Sequence, residues 1–431
     1  MKKVTWFTSL ALAVSSILMG NANAAEISAA SACDPSCAAV CESSCALPGC
    51  GLAGCDNACA LAACDPACTT GHRLGNSKVE WGGYANAGML CNTRGSHYLG
   101  TTNVNDENGG ALNGLYGYLK KEANTNGCGT DWGFGADFMF GQDSRFMRSY
   151  TGFDEDMYTG HNSRGDATYG FAMPQLYAEL AVNDWSVKAG HMYTLLGWES
   201  ARADQRFFYS IGYGFQGVPV TQTGVLVSYN GFQNLDITMG LINGVNAGFS
   251  NDYDESLFAG KFAYNLNDNM KFSYAINAGD FSAANWLNSY GVLSVFGLGF
   301  APNAQSTGAI NTFAFDWQIN DRLEYVAVID YSSLTFRDYN INYRTLGQHL
   351  YYTVNDCWKW GARIEWLKCN SLIDVEMTSL TFGANWTPFC NKNFVVRPEL
   401  RYDNASNGFN IFNNGRDDDQ LCLGFDVMYK F

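Results

Sequence analysis

The residues best suited to covalent chemistry are nine cysteines that recur every four or five positions near the N-terminus, at Cys33, Cys37, Cys41, Cys45, Cys50, Cys55, Cys59, Cys64 and Cys68. Small residues fill the gaps, so this segment cannot bury enough apolar area to fold alone. Three interpretations are open: a helical stripe that pairs with a neighbouring chain, a metal site, and an internally bridged knot. Zinc sites usually use C-x2-C pairs, which the segment lacks, and we predict no metal. An odd number of thiols leaves one over after internal pairing, which favours cross-linking to another partner.

Six further cysteines lie in the rest of the chain, at Cys91, Cys128, Cys357, Cys369, Cys390 and Cys422. A bond between Cys91 and Cys128 would close the loop between them. Cys357 and Cys390 lie in short predicted turns, from which either could bond to the N-terminal segment. Spacing alone does not fix the connectivity.

No catalytic constellation accompanies these thiols. The sequence has no G-x-S-x-G, H-E-x-x-H or P-loop motif, and none of its five histidines lies in a motif. The net charge of −15 argues against a nucleic-acid partner, because phosphate neutralisation needs a basic surface. We therefore predict that the chain is not an enzyme, uses no cofactor and binds no nucleic acid.

The first residues predict export from the cytoplasm. Lys2 and Lys3 precede a mostly apolar stretch from Val4 to Met19, and Ala22-Asn23-Ala24 supplies a small-residue cleavage pattern. This order is typical of a secretory signal peptide, and the mature protein then enters a compartment where disulfides persist. We divide the chain into a signal peptide (1–24), a Cys-rich periplasmic segment (25–77) and a large third part (78–431).

From about Lys78 onward, apolar residues alternate with small or charged ones, which predicts strands with two different faces. Phe313 and Phe315, for example, alternate with Ala314 and Asp316. In a soluble sandwich the apolar face would form the core and the polar face would meet water. In a membrane barrel the apolar face would contact lipid and the polar face would line a lumen.

Three features favour the membrane barrel. Tight turns alternate along the chain with long loops, as in outer-membrane barrels. The chain ends on an amphipathic strand that closes with Phe431. The two-residue turn at Asn183-Asp184 would pair Glu179 with Lys188 on the polar face, and a slip of one residue would move both charges onto lipid.

We therefore predict an all-β fold, a transmembrane antiparallel up-and-down β-barrel of about 16 strands, or roughly 14–18, with short periplasmic turns and long outer loops. The predicted strands are 79–90, 132–141, 145–151, 174–182, 185–192, 223–230, 234–242, 256–265, 270–278, 310–319, 323–331, 348–354, 358–367, 377–386, 394–402 and 421–431. The patterns at 145–151 and 348–354 are the weakest. Pro398 removes a ladder donor within its strand, which would mark a bulge or a misplaced boundary.

The alternation also predicts which charged side chains line the lumen. Both signs occur among them, and in a structural interpretation they would pair with one another along the wall. The lumen-lining candidates are Glu179, Lys188, Asp236, Lys261, Lys271, Asp316, Glu324, Lys359, Arg363, Glu365, Arg397, Glu399 and Arg401.

The stretch from Lys188 to Tyr229 resembles the OmpL-like β-barrel porin family of bacterial outer membranes. The matching residues are Gly190, Gly197-Trp198-Glu199, Phe208-Tyr209-Ser210, Pro219 and Gly224-Val225. The resemblance covers roughly residues 78–431 and implies a passive pore. By analogy with large porins, the third long loop would fold inward and narrow the channel.

That loop carries the predicted pore constriction, which consists of Glu199, Arg202, Asp204 and Arg206. Opposed acidic and basic side chains across a constriction create a transverse field that sorts solutes by charge. The alternative is that these four charges only solvate a surface loop. The excess acid in other loops predicts a weak preference for cations, because an acidic vestibule concentrates them.

Together these observations predict an outer-membrane porin for ions and small hydrophilic solutes, surrounded by membrane lipid. By analogy with other large porins, we expect it to assemble as a homotrimer. The alternative is a structural or adhesive barrel that is anchored by disulfides between the Cys-rich segment and the cell wall or neighbouring chains.

Overall fold

A computed structural model describes residues 78–95, 109–154, 169–252, 254–282, 305–336, 339–370, 374–406, 410–413 and 415–431. The predicted signal peptide and Cys-rich segment lie outside the described residues.

The described strands form a closed antiparallel barrel in which each strand pairs with its neighbours in the sequence and β1 pairs with β16. Closure leaves no strand edge, so every ladder group has a partner, as a lipid environment requires. The sixteen strands are β1 Glu80–Asn92, β2 Gly109–Lys121, β3 Thr130–Gly141, β4 Gly170–Val182, β5 Trp185–Tyr193, β6 Thr221–Tyr229, β7 Leu235–Val245, β8 Ser256–Asn267, β9 Met270–Ser282, β10 Gln305–Asn320, β11 Leu323–Phe336, β12 Tyr339–Asn355, β13 Trp358–Asn370, β14 Asp374–Trp386, β15 Phe394–Ala405 and β16 Asp419–Lys430. The predicted fold class is confirmed.

Helical structure in the described residues is limited to single turns. These are the α-helices α1, Ser144–Met147, and α2, Tyr213–Gln216, and the 3-10 turns Ala203–Gln205 and Pro388–Cys390. Among the described residues, no helix has both the length and the apolar character to cross a membrane.

The two faces of the barrel differ as the alternation predicts. Phe313 on β10 is 50% exposed and Ile364 on β13 is 58% exposed, whereas their neighbours Thr312 and Arg363 are buried. The apolar residues therefore point outward and the polar ones point into the barrel. The predicted hairpin register is also confirmed, because Glu179 faces Lys188 and Val182 faces Trp185.

Two strand predictions are corrected. The segment 145–151 is not a strand: it begins within the single-turn helix α1. The strand β2, Gly109–Lys121, was not predicted, because it is rich in glycine and a bulge at Asn113 breaks its alternation. The two errors cancel in the strand count. The weak segment 348–354 belongs to a longer strand, β12, and β15 continues through Pro398, which faces Phe425.

The interior is not polar throughout. At the end of the barrel that carries the long loops, cross-strand neighbours such as Leu334 and Ile341, or Leu367 and Met377, are inward and fully buried. They belong to one apolar cluster with Leu196, Tyr213 and Val218 of the loop that follows β5. The inner face is therefore apolar at this end, although the alternation predicts small or charged side chains on it. A period of two distinguishes the two faces of a strand but does not show how one face changes along its length.

The described disulfides also differ from the expected ones. Cys91 lies at the loop end of β1 and carries a free thiol, whereas Cys128 lies in the short turn between β2 and β3 and is bonded elsewhere. A Cys91–Cys128 bond is therefore excluded because the two residues lie at opposite ends of the wall. Cys357 and Cys390 bond to each other and not to the N-terminal segment.

The outward direction of the aromatic face can be tested with Phe313→Lys. A lysine on the lipid face near mid-bilayer costs about 2–4 kcal/mol, so the free energy of unfolding in lipid vesicles, measured by urea titration, should fall by that amount. The control is Gln318→Lys on the inward face of the same strand, where Glu324 lies directly across. Equal losses for the two variants would contradict the assigned orientation.

The disulfide assignment predicts the peptide map of unreduced protein. Digestion without reduction should yield a cross-linked peptide that joins Cys357 to Cys390, while Cys91 and Cys422 should be alkylated after denaturation alone, since their thiols are free. Mass spectrometry would detect both. A peptide that joins Cys91 to Cys128 would show the assignment to be wrong.

Candidate pore constriction

The loop between β5 and β6, residues 194–220, lies inside the barrel, and we call it the inner loop. Its apolar side chains are buried: Phe208, Ile211 and Tyr213 are each at most 3% exposed. A surface loop would leave such side chains in water. The inner loop is the third long loop in chain order, as the sequence predicts.

Three buried arginines of the wall hold the backbone of the inner loop. Arg397 on β15 donates to the carbonyl oxygens of Ala203 and Arg206, each at 2.8 Å. Arg401 donates to the carbonyl of Ile211 at 2.7 Å, and Arg363 on β13 donates to the carbonyl of Ser210 at 3.2 Å. Because a guanidinium has five N–H donors and no acceptor, each arginine can bond the loop and a carboxylate together.

Wall and loop carboxylates accept from the N–H groups of the same stretch. Glu199 accepts from Gly212 at 2.7 Å, and Glu365 accepts from Tyr213 at 2.6 Å. An added Cβ at Gly212 would lie 2.5 Å from Glu365 Oε1, so a larger residue there would displace this carboxylate. Glu399 accepts from the Ser210 N–H at 3.1 Å. Both kinds of backbone group in the inner loop are therefore satisfied by inward side chains.

The inner loop also contacts the wall on either side of β13 and β15. The Gly197 N–H donates to Thr312 Oγ1 at 3.0 Å, and the Trp198 indole donates to Asp316 at 2.7 Å. Tyr84 on β1 accepts from the Ala203 N–H at 3.2 Å. These contacts fix the loop on β1 and β10 as well as on β13 and β15, so it crosses the interior.

The four predicted constriction residues have three different environments. Arg202 and Asp204 pair with each other at 2.8 Å, so they do not oppose one another across a passage. Arg206 lies 3.5 Å from Asp143. Glu199 contacts Arg363 at 3.3 Å. Only Glu199 brings charge to the centre of the interior.

Burial raises the pKa of two carboxyl groups that contact or belong to the inner loop, Asp143 and Glu199. It raises the pKa of Asp143 to about 6, against the opposing effect of Arg206. Burial also raises the pKa of Glu199 above its ordinary value, although Arg363 favours the charged form. Glu199 therefore takes up a proton at a higher pH than a free glutamate does.

The predicted lumen-lining residues divide into two levels. Arg363, Glu365, Arg397, Glu399 and Arg401 contact the inner loop at mid-barrel. The others lie towards the short turns, where both signs occur: Glu179, Lys188, Asp236, Lys261, Lys271, Asp316, Glu324 and Lys359.

Charges near the short turns are largely balanced. Lys359 pairs with Glu324 at 2.9 Å, and Lys271 faces Asp316 in the register. Lys188 lies opposite Glu179, but its ammonium lies over the Tyr177 ring, 4.3 Å from the centroid. This level carries nearly equal numbers of acidic and basic groups.

Asp403, Asp426 and Ser210 belong to the same network but were not predicted as site residues. Asp426 pairs with Arg397 at 2.5 Å, and Asp403 pairs with Arg401 at 2.9 Å. The alternation that places Arg401 on the inward face also places Asp403 there, since residues two apart on a strand share a face. Ser210 belongs to the Phe208-Tyr209-Ser210 match of the family resemblance, but no sequence signal places it beside Arg363, because only the path of the loop brings the two residues together.

Between the inner loop and β11–β13 lies a small, half-enclosed cavity of about 20 Å³, which has room for about one water molecule. Its lining combines aromatic groups, acidic groups and exposed backbone: Trp198, Glu199, Gly214, Phe215, Val328, Asp330, Thr345, Gly347, His349 and Glu365. Asp330 packs directly on the loop, since a Cβ at Gly214 would lie 2.5 Å from its Oδ2.

Carboxyl groups outnumber guanidiniums at the centre of the interior. Arg363 and Arg401 contact Glu199, Glu365 and Asp403, and Arg397 contacts Asp426. Asp330 bonds to the hydroxyls of Thr312 and Thr345, and Glu399 bonds to the Ser210 N–H. The carboxylates therefore outnumber the cations that contact them.

Solved structures show the same fold at low identity. The anion-selective porin from Comamonas acidovorans matches with 11% identity and a TM-score of 0.56, covering 83% of this chain and 100% of that one. OmpT from Vibrio cholerae, in its trimer form, matches with 12% identity and a TM-score of 0.50 over 83% of this chain and 100% of that one. The Salmonella typhi OmpF complex with daunomycin matches with 13% identity and a TM-score of 0.50, over 82% and 98%.

A search of curated proteins found no match. The model of the beta-barrel porin-2, OmpL-like family (BBP2) matches residues 78–431, which is the whole barrel. The chain belongs to the OmpL-like beta-barrel porin-2 family, and its barrel is an outer-membrane porin fold.

Proposed function

We propose that the protein is a passive porin, a water-filled channel through the outer membrane for ions and small hydrophilic solutes. The observation that carries this proposal is the inner loop, fixed across a barrel of sixteen strands at the level where charged side chains gather. Barrels of this size leave an aqueous channel unless something fills it. A loop held at mid-barrel narrows such a channel without closing it along its whole length.

The channel prefers cations in this proposal. The carboxylates at mid-barrel outnumber the guanidiniums that contact them, and the level near the short turns is nearly balanced. A negative site with low-dielectric walls concentrates cations. The name of the Comamonas porin describes anion selectivity of that protein, and at 11% identity the likeness extends only to the fold.

A structural barrel with a closed lumen is the second candidate. The observation that favours it is the apolar, fully buried inner wall at the loop end, from Leu334 and Ile341 to Met377. In that case the barrel would be an anchor, and the Cys-rich segment would form disulfides with neighbouring chains or the wall layer. Conductance separates the two candidates.

Discrete conductance steps are expected when the purified protein is added to a planar bilayer. The double variant Arg397→Met with Asp426→Asn should give larger and noisier steps, because it removes the bonds to Ala203 and Arg206 without leaving a buried unpaired carboxylate. A control, Glu376→Gln on the outer face, should leave the steps unchanged. The absence of steps from folded wild-type protein would support the structural barrel instead.

As the pH falls, the cation preference should begin to weaken at a higher pH than the ordinary pKa of a glutamate would predict. Because the pKa of Glu199 is raised, its charge is lost on acidification at a higher pH than the charge of a free glutamate. Reversal potentials in a KCl gradient, measured across pH, would follow this loss. The variant Glu199→Gln, which can still accept from Gly212, should show a weaker preference and a flatter pH profile. A clear anion preference at neutral pH would contradict the proposal.

Several expectations concern parts that the structure does not describe. The signal peptide, the disulfide partners of the Cys-rich segment and the homotrimer all stay predictions. The trimer form of OmpT is a property of that protein. Crosslinking of the purified protein in detergent would report the subunit number.

A further inference from the structure

Two basic side chains lie side by side on the outer face of the wall, at the end that carries the long loops. Arg344 on β12 and Lys368 on β13 are directly opposite each other in the register. Their neighbours Tyr343 and Cys369 are fully buried on the inward face, so both cations lie on the outward face. Like charges directly across a ladder are unfavourable. The pair therefore calls for an anion that comes from outside the barrel.

The position of the pair along the strand places it at the outer edge of the lipid-facing band. On β13 the outward residues begin beside the short turn with Trp358, and Lys368 lies ten residues later. At about 3.4 Å per residue and a tilt of about 40°, this separation spans roughly 26 Å across the membrane. The apolar band of an outer-membrane barrel is about 25 Å tall. Arg344 and Lys368 therefore lie at the level of the outer lipid headgroups.

The outward rows on either side of the pair differ in polarity in the way that a lipid does. In the row nearer the membrane centre, Leu346 lies between Ile329 and Trp366. Ile329 is 48% exposed and Leu346 is 36% exposed, so this row presents an apolar surface to acyl chains. In the row nearer the loops, Asn342 lies opposite Asn370. The surface passes from polar through cationic to apolar towards the membrane centre.

The guanidinium of Arg344 has donors available for an anion. It lies over the ring of Tyr331, 5.4 Å from the centroid, and no carboxylate among the described residues pairs with it. A ring contact occupies one face of a guanidinium, whereas the five N–H donors lie in its plane. These donors match two oxygens of a phosphate in a bidentate arrangement.

Lys368 is held beside Arg344 by a weak ion pair. Its ammonium lies 3.7 Å from Glu376, whose other carboxylate oxygen accepts from the Trp366 indole at 2.8 Å. The Lys368 side chain is 35% exposed, and an ion pair this exposed contributes little. Asp374 lies one row nearer the loops. Lys368 therefore keeps the capacity to bind a second anion.

A phosphorylated lipid fits this surface better than a soluble anion does. A soluble phosphate would contact only the two exposed cations, and such exposed pairs are weak. A lipid phosphate brings acyl chains that also cover the apolar row beneath the pair, which adds the hydrophobic contribution of that area. Lipopolysaccharide, the glycolipid of the outer leaflet, carries phosphate groups on lipid A directly above its acyl chains.

We propose that Arg344 and Lys368 bind a phosphate of lipid A, with its acyl chains along Ile329, Leu346 and Trp366. This site lies on the outer surface of β11–β13, so it goes beyond the proposed porin function and does not depend on whether the barrel conducts. Its role is to hold one lipid molecule at a fixed position on the circumference of the barrel.

Native mass spectrometry of the purified full-length protein tests this site. Wild-type protein, stripped of lipid in detergent and titrated with lipid A, should form a discrete one-to-one adduct. The double variant Arg344→Gln with Lys368→Gln should bind lipid A about tenfold more weakly, since each basic side chain near an anionic lipid contributes several-fold. Lipid A without its phosphates should bind the wild type as weakly as intact lipid A binds the variant.

The matched control is the double variant Arg322→Gln with Lys392→Gln. It removes one arginine and one lysine from exposed positions in short turns, which lie at the other end of the barrel. This control should bind lipid A as the wild type does, because its turns face the opposite leaflet.

Three results would overturn the inference: equal binding of lipid A by the wild type and the Arg344 and Lys368 variant, equal binding of lipid A with and without phosphates, or displacement of lipid A by equimolar inorganic phosphate. The arm with dephosphorylated lipid A uses wild-type protein, so it does not depend on the folding of any variant. Conductance reports the porin function separately, and a protein that binds lipid A without conducting keeps this site.

Discussion

The structure depends on the pairing of buried guanidiniums with the backbone of the inner loop. A loop inside a barrel brings carbonyl and N–H groups that water can no longer reach, and each one left unpaired is costly. Arg363, Arg397 and Arg401 have buried N–H donors, which need hydrogen-bond acceptors. Because each side supplies what the other lacks, the loop is stable in the interior only along the path where the arginines meet its carbonyls.

This pairing changes what the charges of the loop can do. Arg397 is committed to Asp426 and to two carbonyls, and Arg202 is committed to Asp204. Such groups hold the loop and add little net field. The carboxyl groups at mid-barrel whose hydrogen-bond partners are uncharged include Asp330 and Glu399, and no guanidinium balances their charge when they are ionised. A count of the charged residues in the loop therefore does not predict the electrostatics of the site. The partner of each charged side chain has to be known as well.

The sequence predicts the parts of the fold that depend on local physics. A period of two with tight turns yields the strands, and the charge pair at Glu179 and Lys188 yields the hairpin register. The strand β2 is not predicted, because the bulge at Asn113 and several glycines interrupt the alternation of apolar and polar residues. The disulfide between Cys357 and Cys390 is not predicted either, since the spacing of cysteines does not show which turns lie next to each other. For the site, alternation identifies the inward arginines and acids, but the loop carbonyls they bind depend on a path that no local pattern encodes.

The interior changes in character along the barrel axis, and this order has a physical consequence. On β11 to β14 the wall at the loop end is apolar, the middle of the barrel is rich in carboxyl groups, and the level near the short turns holds mixed charges. The apolar level is fully buried against Leu196, Tyr213 and Val218 of the inner loop, so it anchors the loop and offers no open surface to a solute. Burial of this apolar area stabilises the same loop position that the arginines select by their hydrogen bonds lower in the barrel. Apolar packing at one end of the loop and polar pairing in the middle therefore act together to keep the loop inside the barrel.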